Sequence, residues 1–267
     1  IMGGCGAIDL VSRFSISNFF ANTYAVESLF SLLSSKRLVS YMGHALLSGE
    51  VFLITYISYY LYTTKVKRCN ENIVWFILCF VGCALTQSKT CVSLIIASFI
   101  LFRMKWREQK YLLLGTLLLL FVYMTGALDG FINRFIWSIE TNNLTTNRNS
   151  ALISLLEAGK LHFEWFKGQN IDYGWKMVAA LEYPVLRWAY QFGIAVSLCL
   201  TFICFVLPVL SLLKQKAAKE FWVGVIIIVI DVNCYNGLAL TRDNMLLYCL
   251  SIVFITNMAR YCRESRK

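Results

Sequence analysis

From Trp188 to Leu213 the chain reads WAYQFGIAVSLCLTFICFVLPVLSLL, a run with no Asp, Glu, Lys or Arg and a single proline, Pro208. A transmembrane helix needs roughly 17 to 25 predominantly apolar residues, and this run supplies them. Working outward, further apolar windows lie at Leu46–Tyr62, Ile73–Leu85, Cys91–Phe102 and Tyr111–Leu128 upstream, and at Phe221–Leu240 and Met245–Met258 downstream. The windows at Ile73–Leu85 and Cys91–Phe102 are short and only Thr86-Gln87-Ser88-Lys89-Thr90 separates them, so they read as a hairpin whose turn sits below headgroup level. The composition agrees: 58% of the 267 residues are apolar and the mean hydropathy is +0.61. Soluble domains sit near 45 to 50% apolar, so an ordinary water-soluble enzyme and a disordered chain are both excluded. The expectation is an all-α, polytopic membrane protein of about seven transmembrane helices.

The net charge of +10 would suggest nucleic acid in a soluble protein, but its placement says otherwise. If the seven windows alternate across a bilayer, four connections share one side. They carry Lys65, Lys67 and Arg68; Arg103, Lys105, Arg107 and Lys110; Lys214, Lys216 and Lys219; and Arg260, Arg263, Arg266 and Lys267. Only Glu71, Glu108, Glu220 and Glu264 accompany them, so these segments hold the whole net charge. By the positive-inside rule that side is cytoplasmic, and anionic lipid there attracts such segments. No nucleic-acid partner is expected. The predicted layout is an extracytoplasmic segment at 1–45, transmembrane helices 1–4 over 46–128 and a large extracytoplasmic loop at 129–186. Transmembrane helices 5–7 follow over 187–260, and 261–267 form a cytoplasmic tail.

Ile1 is not an initiator and no basic stretch precedes an apolar one near it; the reading is an N-terminally truncated chain lacking earlier spans. Of the ten cysteines most fall inside apolar windows, where cysteine acts as a small hydrophobe. The two histidines, His44 and His162, make no metal site, and the phosphate-cradling and nucleophile-elbow motifs are absent. Neither a metal nor a cofactor is expected.

The loop at 129–186 is nearly neutral, rich in ionisable groups, and apolar as well. From Ser150 to Phe166 its apolar residues lean toward helical spacing, with Asn147 as N-cap and Gly159 as a break or C-cap, so interfacial helices are expected. Arg148 falls in the first turn, where a cation opposes the helix dipole at a cost of about 0.3 to 1 kcal/mol. It is either a solvated surface arginine or a phosphate ligand, since guanidinium suits bidentate oxyanion contact. Lys89 either snorkels outward or supplies a cation at the floor of an outward-facing cavity. Asp231 interrupts the run Val225–Ile230, and an intramembrane carboxylate is by default a functional hypothesis; a structural pair with Lys89 or Arg242 is the alternative.

Taken in order, Gly43-His44 before a span, Thr86-Gln87-Ser88-Lys89, a large outer loop with Arg148-Asn149-Ser150-Ala151-Leu152, a Gly168 turn, and Gly193-Ile194-Ala195 opening a span resemble the bacterial O-antigen polymerase and O-antigen ligase superfamily. The likeness runs from about His44 to Arg260 and lies in the ordering, each motif being weak alone. Members carry an arginine where Lys89 stands and a proline where Ala45 stands; the ligase branch often carries a histidine where Glu182 stands, which favours a polymerase.

The resemblance implies transfer of a glycan from undecaprenyl pyrophosphate to another lipid-linked repeat unit at the outer face of the bacterial cytoplasmic membrane. The C-terminus is then inside, and the partners are the lipid-linked oligosaccharide, the bilayer, and as candidates a chain-length regulator and a flippase. Cations stabilise the leaving pyrophosphate: Arg148 first, then Lys89, Arg134 and Arg242, with His44 and Asp231 as further substrate-binding candidates. A positioned base accepts the proton of the incoming hydroxyl, Glu182 as first choice and His162 as second. Ligase-type transfer, and a transporter or flippase with Asp231 as an ion site and the loop as a lid, are the alternatives.

Overall fold

The computed structural model describes residues 45–103, 148–170, 180–234 and 244–265, with Phe19, Ile136, Met177 and Leu238 as single positions. The chain divides into two compact units, Ile1–Ile136 and Trp137–Lys267. All the described elements are helical.

The first unit packs three helices: α1 (Ala45–Leu61, running into a π-helical turn at Tyr62–Val66), α2 (Ile73–Leu85) and α3 (Lys89–Phe102). Their limits follow from polar caps flanking apolar runs. The Asn72 side chain accepts from the Val74 amide at 3.0 Å to start α2, and Ser88 does the same for Cys91 at 3.3 Å to start α3. An aromatic layer joins the three: Tyr60 stacks on Phe102 with centroids 4.3 Å apart, and Phe76 on Phe99 at 4.1 Å. The Tyr60 hydroxyl also donates to the Phe102 carbonyl at 3.1 Å. At the far ends of α2 and α3, Arg103 and Glu71 form an ion pair whose side chains are almost entirely buried.

The second unit contains α4 (Arg148–Glu157), α5 (Pro184–Phe192), α6 (Ile194–Gln215), α7 (Lys219–Asn233) and α8 (Asn244–Glu264). Helix α6 holds a π-helical turn at Phe202–Val206 just before Pro208. Proline lacks the amide that would bond the carbonyl four residues back; that carbonyl, of Cys204, instead accepts from the buried Tyr248 hydroxyl of α8 at 2.6 Å. Trp188, fully buried, stacks on Phe205 at 6.2 Å and donates to the Leu238 carbonyl at 3.1 Å.

Among the described residues two helices, Ile194–Gln215 and Met245–Glu264, are long and apolar enough to cross a membrane, while Ile73–Leu85 and Lys89–Phe102 are shorter apolar helices. The all-α expectation therefore stands among the described residues, whereas the seven-span count does not follow from helix length and composition. The window Tyr111–Leu128 lies outside the described residues. Several expected boundaries change: the Phe221–Leu240 window gives a helix that ends at Asn233, and the helix at Met245–Met258 runs on to Glu264. The window Trp188–Leu213 is not one helix: Gly193, at φ 89° and ψ 159°, separates α5 from α6 in a backbone region essentially closed to other residues. The break expected at Gly159 is present: the helix stops at Glu157, Gly159 adopts φ +63°, and the Lys160 and Gly159 amides bond the Leu155 and Leu156 carbonyls, closing it.

Candidate functional site

Beyond α4 the chain folds back over α5. Ala151, Leu155, Leu161, Met177, Ala180, Leu181 and Tyr190 form a small hydrophobic core, with Phe163 edge-on to Tyr190. Part of the loop's apolar content thus goes into its own packing; Ile153, Leu156, Trp165 and Phe166 remain exposed. Backbone bonds fix the return. The Ile194 and Ala195 amides, the first of α6, donate to the carbonyls of Glu164 and Trp165 at 2.9 and 3.0 Å, and the Gln169 amide donates to the Tyr190 carbonyl at 2.8 Å. This brings Gly168 so close to Gln191 that a Cβ would stand 1.7 Å from its carbonyl oxygen.

That docking also brings the start of α4 to the start of α5. The Tyr183 hydroxyl donates to Asn149 Oδ1 at 2.5 Å across 34 residues of sequence. Arg148 precedes Asn149 at the opening of α4, and Glu182 precedes Tyr183 at the entry to α5. The first-choice cation and the first-choice base are therefore immediate chain neighbours of a hydrogen-bonded pair. One turn into α5 stands Arg187, whose amide bonds the Tyr183 carbonyl at 2.9 Å and whose Nε donates to Gln191 Oε1 at 3.2 Å. Glu182 and Arg187 are both part-buried. His162, the second-choice base, is exposed and meets this region through its carbonyl, which accepts from Gln169 Nε2 at 3.2 Å.

In the first unit the hairpin tip is buried: Thr86, Gln87 and Ser88 are all below the surface, Gln87 with φ +53°. Gly49 of α1 makes this possible, since a Cβ there would lie 2.9 Å from Cys91 Sγ and 3.0 Å from Thr86 Oγ1. Lys89 opens α3, half-buried. Glu50, next to Gly49, and Ser48 before it are both 0% exposed. Asp231 in the last turn of α7 is likewise 0% exposed.

Of the sequence-derived candidates, Arg148 and Glu182 each adjoin in sequence one member of the Tyr183–Asn149 pair, and His162 lies on the same folded loop. Lys89 belongs to the other unit, and Asp231 sits in α7. His44, Arg134 and Arg242 lie outside the described residues. Among the described residues no group of three His, Cys, Asp or Glu is arranged to hold a metal, and the cysteines are free thiols. Three residues escaped the sequence reading. Glu50 is the lone acid in its apolar window, the same signal that singled out Asp231. Arg187 is a cation beside an uncharged run. Tyr183 had no signal, because its role is a contact between distant segments.

Comparison of the chain with protein-family models, curated proteins and solved structures finds no match.

Proposed function

We propose that the chain is a multi-pass membrane glycosyltransferase working at the outer leaflet. More narrowly, it is a polymerase of undecaprenyl-pyrophosphate-linked oligosaccharide repeat units in the bacterial inner membrane. The observation that supports the reading is the Tyr183 to Asn149 bond, which ties the chain next to Arg148 to the chain next to Glu182. Membrane location draws support from the two long apolar helices and from exposed Trp165 and Phe166, aromatic side chains of the kind enriched at bilayer interfaces.

In the proposed reaction the acceptor sugar's hydroxyl oxygen attacks the anomeric carbon of the donor glycan. The bond from that carbon to the pyrophosphate oxygen breaks, and the pyrophosphate leaves with the electron pair. Glu182 takes the hydroxyl proton. Arg148 faces the charge that grows on the leaving phosphate, and Arg187 orients the same group. Pyrophosphate is stable as an anion, so charge stabilisation and one positioned base are sufficient chemistry.

The test is incubation of the purified full chain in detergent with a lipid-pyrophosphate repeat unit, followed by separation of products by size. A ladder is expected, and Glu182→Gln is expected to slow it about 10²- to 10⁴-fold. A single discrete transfer onto a lipid A core points to ligation instead. The two fully buried carboxylates, Glu50 and Asp231, favour one other reading, a transporter of lipid-linked sugars; intact substrate in this assay together with flipping in vesicles selects it.

A further inference from the structure

Where α6 ends and α7 begins, residues 215–218 and the last turns of α8 enclose a cavity of about 250 Å³, walled on the α8 side by Ala259, Cys262 and Arg263. It opens to the surface, and its lining is cationic through two exposed side chains, Lys216 and Arg263. Lys216 closes α6 in the left-handed conformation, φ +49°, locked by its own amide to the Leu213 carbonyl at 3.0 Å and by the Ala217 amide to the Leu212 carbonyl at 3.1 Å. Left-handed backbone ordinarily selects glycine or asparagine, so a lysine here stands out. Arg263 reaches over the same turn, donating from Nη1 to the Lys214 carbonyl at 3.0 Å, which leaves most of its fork of donors for another acceptor.

One further feature points the same way. Gln215 lines the cavity, its Nε2 donating to Ser211 Oγ at 3.0 Å and its Oε1 buried without a hydrogen bond; turned over, the amide accepts from the Ser211 hydroxyl and puts its NH₂ where the oxygen stood. Helix α7 starts at an alanine N-cap with no side-chain cap, its Phe221 amide bonds the Ala218 carbonyl at 3.0 Å, and Glu220 is the acid of its first turn. The one acid in the last turn of α8, Glu264, is engaged with Arg260 at 2.9 Å. Earlier in α6, ahead of Gln215 in sequence, Leu213 and Leu210 are exposed, apolar side chains on a helix long enough to lie in a bilayer.

We propose that this cavity binds the phosphate of an anionic phospholipid headgroup, with Lys216, Arg263 and Gln215 as its ligands and the acyl chains along Leu213 and Leu210. The volume lies below the roughly 300 to 1,000 Å³ of a drug-sized pocket, which suits a headgroup and excludes an oligosaccharide. The inference rests on membrane embedding and is independent of the glycosyl-transfer reading. Basic pockets between membrane helices are known to take such headgroups.

The full chain, purified in detergent, is titrated with phosphatidylglycerol or phosphatidylcholine and its bound lipids are counted by native mass spectrometry. One saturable phosphatidylglycerol is expected, preferred over phosphatidylcholine. Lys216→Gly, which suits the left-handed backbone and so keeps the fold, is expected to weaken it roughly fivefold to tenfold, and Arg263→Gln similarly. The control Lys65→Ala/Lys67→Ala, in a different basic segment, is expected to leave it unchanged. Equal weakening in the control, or no saturable site, overturns the proposal. So does displacement by inorganic phosphate with no preference between the lipids, which assigns the cavity to free phosphate.

Discussion

Two glycines of the folded loop are required for different reasons, and single substitutions separate them. Gly159 sits at φ +63° with open space, nothing within 4 Å, where a Cβ would stand, so Gly159→Ala carries only the penalty of left-handed backbone, about 1 to 2 kcal/mol. Gly168 has ordinary φ but faces the Gln191 carbonyl 1.7 Å from where a Cβ would be. Gly168→Ala therefore forces the segment off α5, at a cost of about 2 kcal/mol or more, and takes from α6 the carbonyls of Glu164 and Trp165. Limited proteolysis between Lys160 and Lys167 is expected to speed up far more for Gly168→Ala than for Gly159→Ala; equal rates refute the docking. Sequence alone marks Gly159, because it follows a helical run, and marks Gly168 only as a turn. Its real constraint is another segment's backbone, which no local pattern records. The same holds around Arg148 and Glu182: each is legible as a charge in an apolar loop, but the bond that ties their neighbours Asn149 and Tyr183 leaves no signal in the sequence.

At the level of elements, apolar windows located helices well where polar caps bounded them, and poorly where backbone geometry intervened. Helix α2 begins and ends where the sequence window does, because Asn72 and Thr86 are both polar and both act as caps. The Trp188–Leu213 window conceals a break at Gly193, since hydropathy is blind to φ. Helix α6 passes Pro208 through a π-helical turn, with the Cys204 carbonyl taking the Tyr248 hydroxyl as its donor. Tyr248→Phe leaves that carbonyl buried and unbonded, so a loss of about 1 to 3 kcal/mol is expected, read as a lower midpoint in denaturant titration of the detergent-solubilised chain. In the other unit, Glu71→Gln leaves Arg103 as an uncompensated, largely buried cation. Removing one partner of such a pair costs about 3 to 5 kcal/mol, and the same titration is expected to show the larger shift. A Glu71→Gln variant as stable as the parent would mean that the pair is hydrated in the membrane.

On the scale of the whole molecule, the basic connections and the apolar loop make opposite demands on a bilayer, and one measurement decides whether both are met. The segments around Lys65, Lys214 and Arg260 belong inside if the charge asymmetry sets orientation, and the α4 region then belongs outside. Alkaline phosphatase matures only where disulfides form, that is, outside the cytoplasm. Fused after Lys160 it is expected to be active, and fused after Lys267 inactive. The outcome bears on both functional readings at once. A loop that faced the cytoplasm would put Glu182 and Arg148 on the wrong side for a carrier presented at the outer leaflet, and the polymerase reading would fall. The cavity at Lys216 would survive that reversal, because its ligands are read from local geometry, but its lipid would then come from the outer leaflet.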